Sequence, residues 1–328
     1  MSFYPFKFHP LFMERLWGGR ELEKLYGKAL PPGKQIGESW EIADRPDATS
    51  VISNGALAGK SLRWLMENHA REIIGGDTVP ERFPLLVKIL DAQDKLSIQV
   101  HPRSTVASRL KGEPKTEMWY IAQAQPNAEL YVGLNSGVTR EEFEQKLHQG
   151  AVAECIHRVP VATGDVMFLP SGRIHAIGAG LVIFEIQQNS DTTYRVFDWN
   201  RVDANGKARE LHIAESLASI DFSDYAPEQV KSKYSENRTL KVRFLVHNEF
   251  FQVDAWRVKR RVRFHMDLDS VQILGILQGR LTVQYGGADY LFGPGEFALL
   301  PAALERCALH ADTQVELLHV QLGSASSS

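Results

Sequence analysis

The sequence predicts a mainly β protein built from two barrel-like units, and two observations support this. From Lys241 onwards, short apolar runs alternate with turn residues at close spacing, which is typical of sandwiches and barrels. In addition, the segment GDVMFLP at 164–170 recurs as GEFALLP at 295–301. His175 lies five residues beyond the proline of the first copy, and Arg306 takes that place in the second. We interpret the copies as two units of common pattern, of which one keeps a metal-binding side chain; chance similarity of two β-turns is the alternative.

Composition limits the functional classes. The 328 residues are enough for two domains of ordinary size, or for one large domain with an appendage. They are 44% hydrophobic and 23% charged, as in a globular protein, and the net charge of -3 gives no general attraction to nucleic acid. The N-terminus does not resemble a secretory signal, and no apolar run approaches the ~20 residues of a membrane span. Two distant cysteines exclude a disulfide framework. We expect a cytoplasmic protein without nucleic-acid, membrane or obligatory protein partners.

Hydrophobic periodicity and turn residues predict the elements in order. The strands expected in the N-terminal part cover residues 3–8, 39–42, 50–52, 85–90, 96–101, 115–121, 166–169 and 181–186. Those expected in the C-terminal part cover residues 242–246, 251–258, 271–277, 281–285, 297–300 and 314–321. Helices are expected at 61–74, with Ser61 as N-cap, at 139–148, with a capping box from Thr139 and Glu142, and at 212–220. The predicted domains are 1–240, which contains these helices, and 241–328.

Polar side chains share a face on two of these strands. The period of two places Ser97, Gln99 and His101 on one side of the strand at 96–101. On the strand at 115–121, Lys115 and Glu117 share a face. A polar face on a strand within an apolar region is unusual, and it indicates a functional site.

The stretch 164–195 adds three more polar groups. His175 follows a tight turn between two short apolar strands, Glu185 is embedded in the second strand, and Arg195 follows a polar cluster that contains Asp191. Two imidazoles and a carboxylate, His101, His175 and Glu117, are the ligand set of a catalytic zinc site with an open position. Iron, manganese or nickel would also accept these ligands. Gln99 is either a weak oxygen ligand or a hydrogen-bond donor to a ligand.

Four motifs, taken together, resemble type I mannose-6-phosphate isomerases of the cupin superfamily, in the short bacterial form. They are LSIQVHP (96–102), PKTEMWY (114–120), PSGRIHAIG (170–178) and EIQQNSDTTYRVFDWNR (185–201), and they occur in the order of that family. The elements WGG at 17–19 and GESWEI at 37–42 are similar as well. The resemblance implies two cupin-type jelly-roll barrels, the second of them metal-free.

The resemblance also implies a function and a residue set. The function would be the zinc-dependent interconversion of mannose 6-phosphate and fructose 6-phosphate through an enediol, with one Zn²⁺ per chain. Carried over residue by residue, the zinc ligands are Gln99, His101, Glu117 and His175; the catalytic residues are Arg195, Lys115 and Glu185; and the substrate-binding residues are Ser97 and Asp191. The alternatives are a non-catalytic sugar-phosphate-binding cupin and another cupin enzyme, such as an iron-dependent dioxygenase or another sugar-phosphate isomerase.

Several of these residues also have structural interpretations. Glu185 is either the proton carrier, because burial in a strand raises a carboxyl pKa, or an ion-pair partner of Arg195. Lys115 either holds phosphate or acts as an acid or base, or it forms a strand-face ion pair with Glu117. Asp191 either contacts the substrate or turns the chain and orients Arg195. We interpret Trp17, Trp40 and Trp119 as packing residues.

Overall fold

The computed structural model describes residues 2–76, 78–202 and 206–323. Strands account for 42% of the chain and helices for 14%, which confirms the mainly β class. Residues 324–328, the end of the second predicted domain, lie outside the described residues.

Thirteen strands are described in the first part of the chain. They are β1 (Phe8–His9), β2 (Leu11–Gly19), β3 (Ile36–Ile42), β4 (Val51–Ile52), β5 (Leu85–Ala92), β6 (Ile98–Val100), β7 (Glu117–Ala124), β8 (Glu129–Leu134), β9 (Ile156–Pro160), β10 (Val166–Leu169), β11 (His175–Ile177), β12 (Leu181–Gln188) and β13 (Tyr194–Phe197).

Ten strands follow in the C-terminal part. They are β14 (Ser235–Glu236), β15 (Leu240–His247), β16 (Phe251–Val258), β17 (Val262–Asp267), β18 (Gln272–Gln278), β19 (Leu281–Tyr285), β20 (Ala288–Phe292), β21 (Phe297–Leu300), β22 (Arg306–Ala311) and β23 (Val315–Leu322). The α-helices are α1 (Glu21–Tyr26), α2 (Leu62–Ile74), α3 (Ser104–Ala107), α4 (Arg140–His148) and α5 (Ile213–Ser219), and the 3-10 helices are Val152–Cys155 and Ala302–Leu304.

The strands form two sandwiches. In the first, a six-stranded sheet of order β10-β7-β12-β5-β3-β2 packs on a five-stranded sheet of order β13-β6-β11-β8-β9. In the second, a six-stranded sheet of order β14-β15-β16-β23-β18-β21 packs on a four-stranded sheet of order β17-β22-β19-β20. The two six-stranded sheets share a further apolar core, to which α2 contributes.

The sandwiches repeat one strand order. The strands β5 to β12 of the first sandwich correspond, in chain order, to β16 to β23 of the second. The central order β10-β7-β12-β5 then corresponds to β21-β18-β23-β16, and the facing order β6-β11-β8-β9 corresponds to β17-β22-β19-β20. The repeated Gly-to-Pro segments become β10 and β21, which are edge strands at matching positions, and β11 and β22 begin at His175 and Arg306. The two units of common pattern are therefore present. Among the described residues no sheet closes on itself, so the two barrels are not confirmed and the units are described as sandwiches.

Alternation along the strands separates the site from the core. In β12, Phe184 belongs to the core between the six-stranded sheets, whereas Ile183 packs inside the first sandwich. Glu185 therefore points into the first sandwich. In β7, Met118 likewise belongs to the core between the six-stranded sheets, whereas Trp119 packs inside the first sandwich. Glu117 therefore lies on the inner face with Glu185.

The helix predictions are confirmed closely. Ser61 caps α2 by accepting a hydrogen bond from the backbone N–H of Trp64, at 3.0 Å between nitrogen and oxygen. Thr139 caps α4 through the N–H of Glu142. Among the described residues no helix is long and apolar enough to cross a membrane.

Two groups of strand predictions were wrong. Only Phe8 of the strand predicted at 3–8 lies in a strand, because this segment crosses to the second unit, where Phe6 bridges Leu299. The missed strands include β8, β9, β11, β13, β14, β17, β20 and β22. Several of them carry exposed charged or polar residues that weaken the apolar signal, as in VRFHMD of β17. The domain boundary at 240/241 stays a prediction.

Phe184→Ala tests the shared core between the six-stranded sheets. Phe184 is fully buried, with ring centroids of Phe297 and Tyr26 at 5.5 and 5.8 Å. Removal of a buried ring leaves a cavity and should lower the apparent free energy of unfolding by about 3–5 kcal/mol in urea titration. Leu291→Ala, at a side chain that is 52% exposed, is the control and should change it by less than about 0.5 kcal/mol. Equal losses in both variants would contradict this account of the core.

Candidate metal centre and active site

A cavity of about 530 Å³ opens at one end of the first sandwich, between its two sheets. Six of the nine predicted site residues line it: Ser97, Gln99, Lys115, Glu185, Asp191 and Arg195. The other three, His101, Glu117 and His175, form a buried cluster directly behind the wall. The structure thus brings together side chains that are almost 100 positions apart in the sequence.

Strand register explains this convergence. In the five-stranded sheet, Gln99 of β6 lies opposite His175 of β11 on one side and opposite Arg195 of β13 on the other. Glu117 begins β7 in the facing sheet, with its cross-strand partner Gln187 on β12. One sheet therefore supplies the imidazoles, the amide and an arginine, and the other supplies the carboxylates.

The three buried side chains have the geometry of a cation site. The ligand atoms of His101, Glu117 and His175 all lie within 4.8 Å of one another. His101 Nε2 is 3.6 Å from Glu117 Oε2, and His175 Nε2 is 3.3 Å from Glu117 Oε1. All three side chains are almost completely buried. Both imidazoles therefore direct the same ring atom at one carboxylate.

Backbone carbonyls fix the tautomer of both histidines. His101 Nδ1 lies 2.8 Å from the carbonyl oxygen of Thr192, and His175 Nδ1 lies 2.9 Å from that of Arg173. A carbonyl only accepts, so each Nδ1 carries the proton and each Nε2 keeps a lone pair. This is the usual way in which a protein orients metal-binding histidines.

The charge state of the cluster also suits a cation. Burial, and secondly the charge of Lys115, lower the pKa of His101 to about 3. Burial also lowers the pKa of His175. Burial by itself raises the pKa of Glu117, but Lys115, His101 and His175 together outweigh it and hold that pKa well below its ordinary range. At neutral pH the cluster therefore presents two neutral imidazoles and one carboxylate, the protonation states that a metal ion requires.

Unsatisfied atoms point to the same conclusion. His101 Nε2 and Glu117 Oε1 are buried without a hydrogen-bond partner among the described residues. A buried carboxylate oxygen and an imidazole lone pair without partners are costly, and a cation between them satisfies both. The residues present therefore fit a divalent metal of the zinc type.

Gln99 completes the wall between the cluster and the cavity. Its Nε2 lies 3.3 Å from His175 Nε2, so the amide donates to the lone pair that would face the metal. Rotation of the amide by half a turn puts Oε1 in that place, because the two ends of an amide have nearly the same shape. Gln99 is therefore placed to serve either as a ligand or as a donor to one.

Glu185 is buried at the cavity floor, and its partners differ from the predicted one. Its Oε2 accepts a hydrogen bond from Trp119 Nε1 at 2.8 Å, and its Oε1 lies 3.4 Å from Lys88 Nζ. No described contact joins it to Arg195, so the structural pairing of these two residues was wrong. Burial, and secondly the charge of Glu117, raise the pKa of Glu185. Trp119 also packs edge-on against His175, so it contacts both parts of the site.

Sequence reasoning missed Lys88. Its Nζ lies within 4 Å of three carboxylates: Glu185 at 3.4 Å, Glu38 at 3.6 Å and Asp191 at 4.0 Å. The signal was a lysine inside the apolar run LLVKIL, the same kind of signal that singled out Glu185 on β12. Glu185 and Lys88 are directly opposed in the β12–β5 ladder. Each charge therefore compensates the other within the buried face.

Lys115 and Arg195 bring positive charge to the cavity. Lys115 Nζ lies 2.9 Å from Glu117 Oε2. Burial lowers the pKa of this amine, but Glu117, Glu185 and Asp191 together outweigh burial and raise it. Arg195 donates from Nη1 to the backbone carbonyl of Glu210 at 2.7 Å. Lys115 is thus the ion-pair partner of Glu117 and also a cavity residue, so the two interpretations of this lysine are compatible.

Known proteins match the chain over almost its whole length. Residues 6–117 match the family model of the phosphomannose isomerase type I catalytic domain. The mannose-6-phosphate isomerase ManA of Bacillus subtilis is 36% identical over 322 residues, which cover 98% of this chain and 100% of that protein. A mannose-6-phosphate isomerase of Streptococcus mutans is 34% identical over 94% of this chain and 98% of its own length.

The chain belongs to the type I phosphomannose isomerase family. The crystal structure of the mannose 6-phosphate isomerase from Bacillus subtilis superimposes with a TM-score of 0.89 at 30% identity, covering 97% of this chain and 99% of that one. The family expected from the four motifs is therefore confirmed, and the chain is an isomerase.

The matched family segment ends within the site. Residues 6–117 include Ser97, Gln99, His101, Lys115 and Glu117, whereas His175 and Arg195 lie beyond the segment. The fold brings both parts together at one cavity and the buried cluster behind it. The roles of the individual residues stay predictions.

His175→Ala tests the metal centre. Loss of this imidazole should lower metal affinity by at least about 100-fold. Removal of a residue that only orients a metal ligand already lowers that affinity by about 10–100-fold, and His175 is a proposed ligand itself. The metal-to-protein ratio after dialysis measures this, and circular dichroism should still report a folded β protein. His265→Ala, an exposed histidine on β17, is the matched control and should keep its metal. A His175→Ala protein with a full complement of metal would exclude this cluster as the site.

Proposed function

We propose that this phosphomannose isomerase interconverts mannose 6-phosphate and fructose 6-phosphate with one Zn²⁺, held by His101, Glu117 and His175 with Gln99 as the fourth ligand. One observation carries the proposal. Two imidazole Nε2 atoms and a carboxylate converge behind the wall of a cavity that also contains a buried carboxylate and several cations. A non-catalytic binding protein has no need of a carboxylate with a raised pKa beside a cation site.

The reaction moves one proton between C1 and C2 of the sugar through an enediol. It requires a base that takes the proton and returns it to the neighbouring carbon, a stabiliser for the oxyanion, and a grip on the phosphate. When bound, the zinc ion supplies a Lewis acid that orients the sugar oxygens and polarises the carbonyl.

Glu185 is the proposed proton carrier. Its carboxylate lines the cavity, and Trp119 and Lys88 hold one oxygen each, which fixes its orientation. The raised pKa makes it a stronger base than an exposed glutamate. One carboxylate oxygen would take the proton from one carbon and return it to the next.

The lysines are proposed as charge stabilisers rather than bases. The raised pKa of Lys115 keeps its amine charged at neutral pH, so it cannot accept a proton there. Its ammonium group would instead stabilise negative charge on the substrate. Lys88, which lies between Glu185, Glu38 and Asp191, would hold Glu185 in place. Ser97 and Asp191 are the proposed contacts to sugar hydroxyls, since both line the cavity.

The cupin jelly roll is the proposed description of each sandwich. Its support is the eight-strand order that β5 to β12 and β16 to β23 share. By this proposal the second unit is metal-free, because Gln272 and Arg306 occupy the places of Glu117 and His175. A cytoplasmic location and independence from protein partners stay predictions.

Glu185→Gln tests the proton carrier. The amide still accepts a hydrogen bond from Trp119 but cannot take a proton, so kcat should fall by about 10²- to 10⁴-fold with metal content unchanged. In the unmodified protein, kcat/KM should rise as the pH increases through a pKa above 4.5, because only the ionised form is the base. Glu144→Gln, an exposed glutamate on α4, should leave both quantities unchanged. Near-normal kcat in Glu185→Gln would remove Glu185 from the mechanism.

A coupled assay tests the reaction and the metal together. Conversion of mannose 6-phosphate to fructose 6-phosphate should disappear after treatment with a chelator and return on addition of Zn²⁺. Activity that survives complete removal of metal would contradict the zinc dependence. A metal-loaded protein without turnover would instead favour the sugar-phosphate-binding alternative.

A further inference from the structure

The tight turn at 170–173 lies against both histidine-bearing segments of the metal centre. The backbone N–H of Gly172 donates to the carbonyl of His101 at 2.9 Å. The carbonyl of the next residue, Arg173, accepts the hydrogen bond from His175 Nδ1 at 2.9 Å. The position of this one turn therefore sets where both imidazoles lie.

The same turn also holds the strand that carries the carboxylate ligand. Ser171 Oγ accepts from the backbone N–H of Lys115 at 3.0 Å, and the N–H of Ser171 donates to Thr116 Oγ1 at 3.3 Å. Thr116 directly precedes Glu117. All three proposed metal ligands thus have their own segment of chain in contact with one turn, so a shift of that turn would change the separation of the ligand atoms.

The turn is held from outside the site by residues 221–224, which belong to none of the four motifs. The N–H of Asp221 donates to the carbonyl of Gly172 at 2.9 Å. Arg173 forms a two-point ion pair with Asp224, at 2.7 Å from Nε to Oδ2 and at 2.8 Å from Nη2 to Oδ1. The two side chains are only 16% and 18% exposed. A shielded, two-point pair of this kind fixes both the place and the orientation of the arginine.

The ion pair is in turn fixed to both sheets of the first sandwich. The carbonyl of Asp224 accepts from the N–H of Leu134, the last residue of β8, at 2.9 Å, and the N–H of Ala226 donates to the carbonyl of Leu134 at 2.8 Å. The third nitrogen of Arg173, Nη1, donates to the carbonyl of Phe168 in β10 at 2.7 Å. The carboxylate of Asp224 is therefore a rigid point to which the turn is attached.

We propose that Asp224 is a positioning residue of the metal centre, which acts through Arg173 on the turn at 170–173. This inference rests on the proposed function, because it requires that the buried cluster holds a metal ion. Asp224 itself is not part of the cavity lining. Without its carboxylate, Arg173 loses two charge-assisted hydrogen bonds, and the turn that aligns the ligands becomes less restricted. The loss then falls on metal binding, which requires ligand atoms at fixed separations.

Asp224→Asn is the decisive variant, and Glu129→Gln is its matched control. Glu129 of β8 forms a similar two-point pair with Arg158 in the same sandwich, at 2.5 and 3.0 Å, and this pair has no described hydrogen bond to the turn. Competition with a chromogenic chelator measures the affinity for Zn²⁺. That affinity should fall about 10- to 100-fold in Asp224→Asn and stay within about threefold of the unmodified protein in Glu129→Gln. At saturating Zn²⁺, kcat should stay within about threefold in both variants, because neither residue lines the cavity.

A second measurement separates positioning from a purely structural role. Zn²⁺ added to the metal-free protein should raise its thermal midpoint, and the rise at one Zn²⁺ concentration should be smaller in Asp224→Asn than in Glu129→Gln, because weaker binding stabilises less. A structural role alone would lower the midpoint of the metal-free protein and leave the rise unchanged. Asp224→Glu keeps the charge but displaces the carboxylate, so its zinc affinity should be intermediate; it serves if Asp224→Asn does not fold.

The outcomes also distinguish this inference from the proposed metal centre. Unchanged zinc affinity in every folded Asp224 variant, or an equal loss in Glu129→Gln, would overturn the positioning role while His175→Ala still loses its metal. Full metal content in His175→Ala would instead overturn the metal centre itself, and the inference with it.

Discussion

The buried carboxylate of Glu117 is the group on which the rest of the site depends. It is completely shielded from water, and an ionised carboxylate in that position costs several kcal/mol unless positive charge surrounds it. Lys115 supplies part of that charge at 2.9 Å, and a metal ion between Glu117, His101 and His175 would supply the rest. Backbone carbonyls accept hydrogen bonds from both Nδ1 atoms, and each Nε2 lone pair therefore stays available to the cation.

Compensation of buried charge extends from this group through the cavity. Glu117 contributes to the raised pKa of Glu185, and Lys88 lies between Glu185, Glu38 and Asp191. Burial alone would raise the pKa of Glu38, but Lys88 and Arg15 outweigh it and lower that pKa to about 2. Acidic and basic groups thus alternate along this part of the cavity.

The repeated strand order places polar side chains at equivalent positions in both sandwiches. In the second sandwich, Gln272 lies where Glu117 lies in the first, and His319 and Asp254 oppose each other as Glu185 and Lys88 do. His319 Nε2 contacts Gln272 Oε1 at 2.6 Å, so this cluster is satisfied largely from within the protein. A repeated strand order therefore preserves polar positions even where their residue types no longer suit a metal.

The sequence alone determined the β class, the caps of α2 and α4, the family and the nine candidate site residues, because these depend on local periodicity and on contiguous motifs. Tertiary structure decided which charged side chains contact one another. Lys88 looked like an isolated lysine in an apolar strand until the β12–β5 register placed it opposite Glu185. Arg209 had no motif of its own, and only the fold places it at the cavity wall, with two bonds to Asp198. The pairing of Glu185 with Arg195 was wrong for the same reason: partners of a buried charge are set by sheet register and facing sheets, and neither can be read along a single strand.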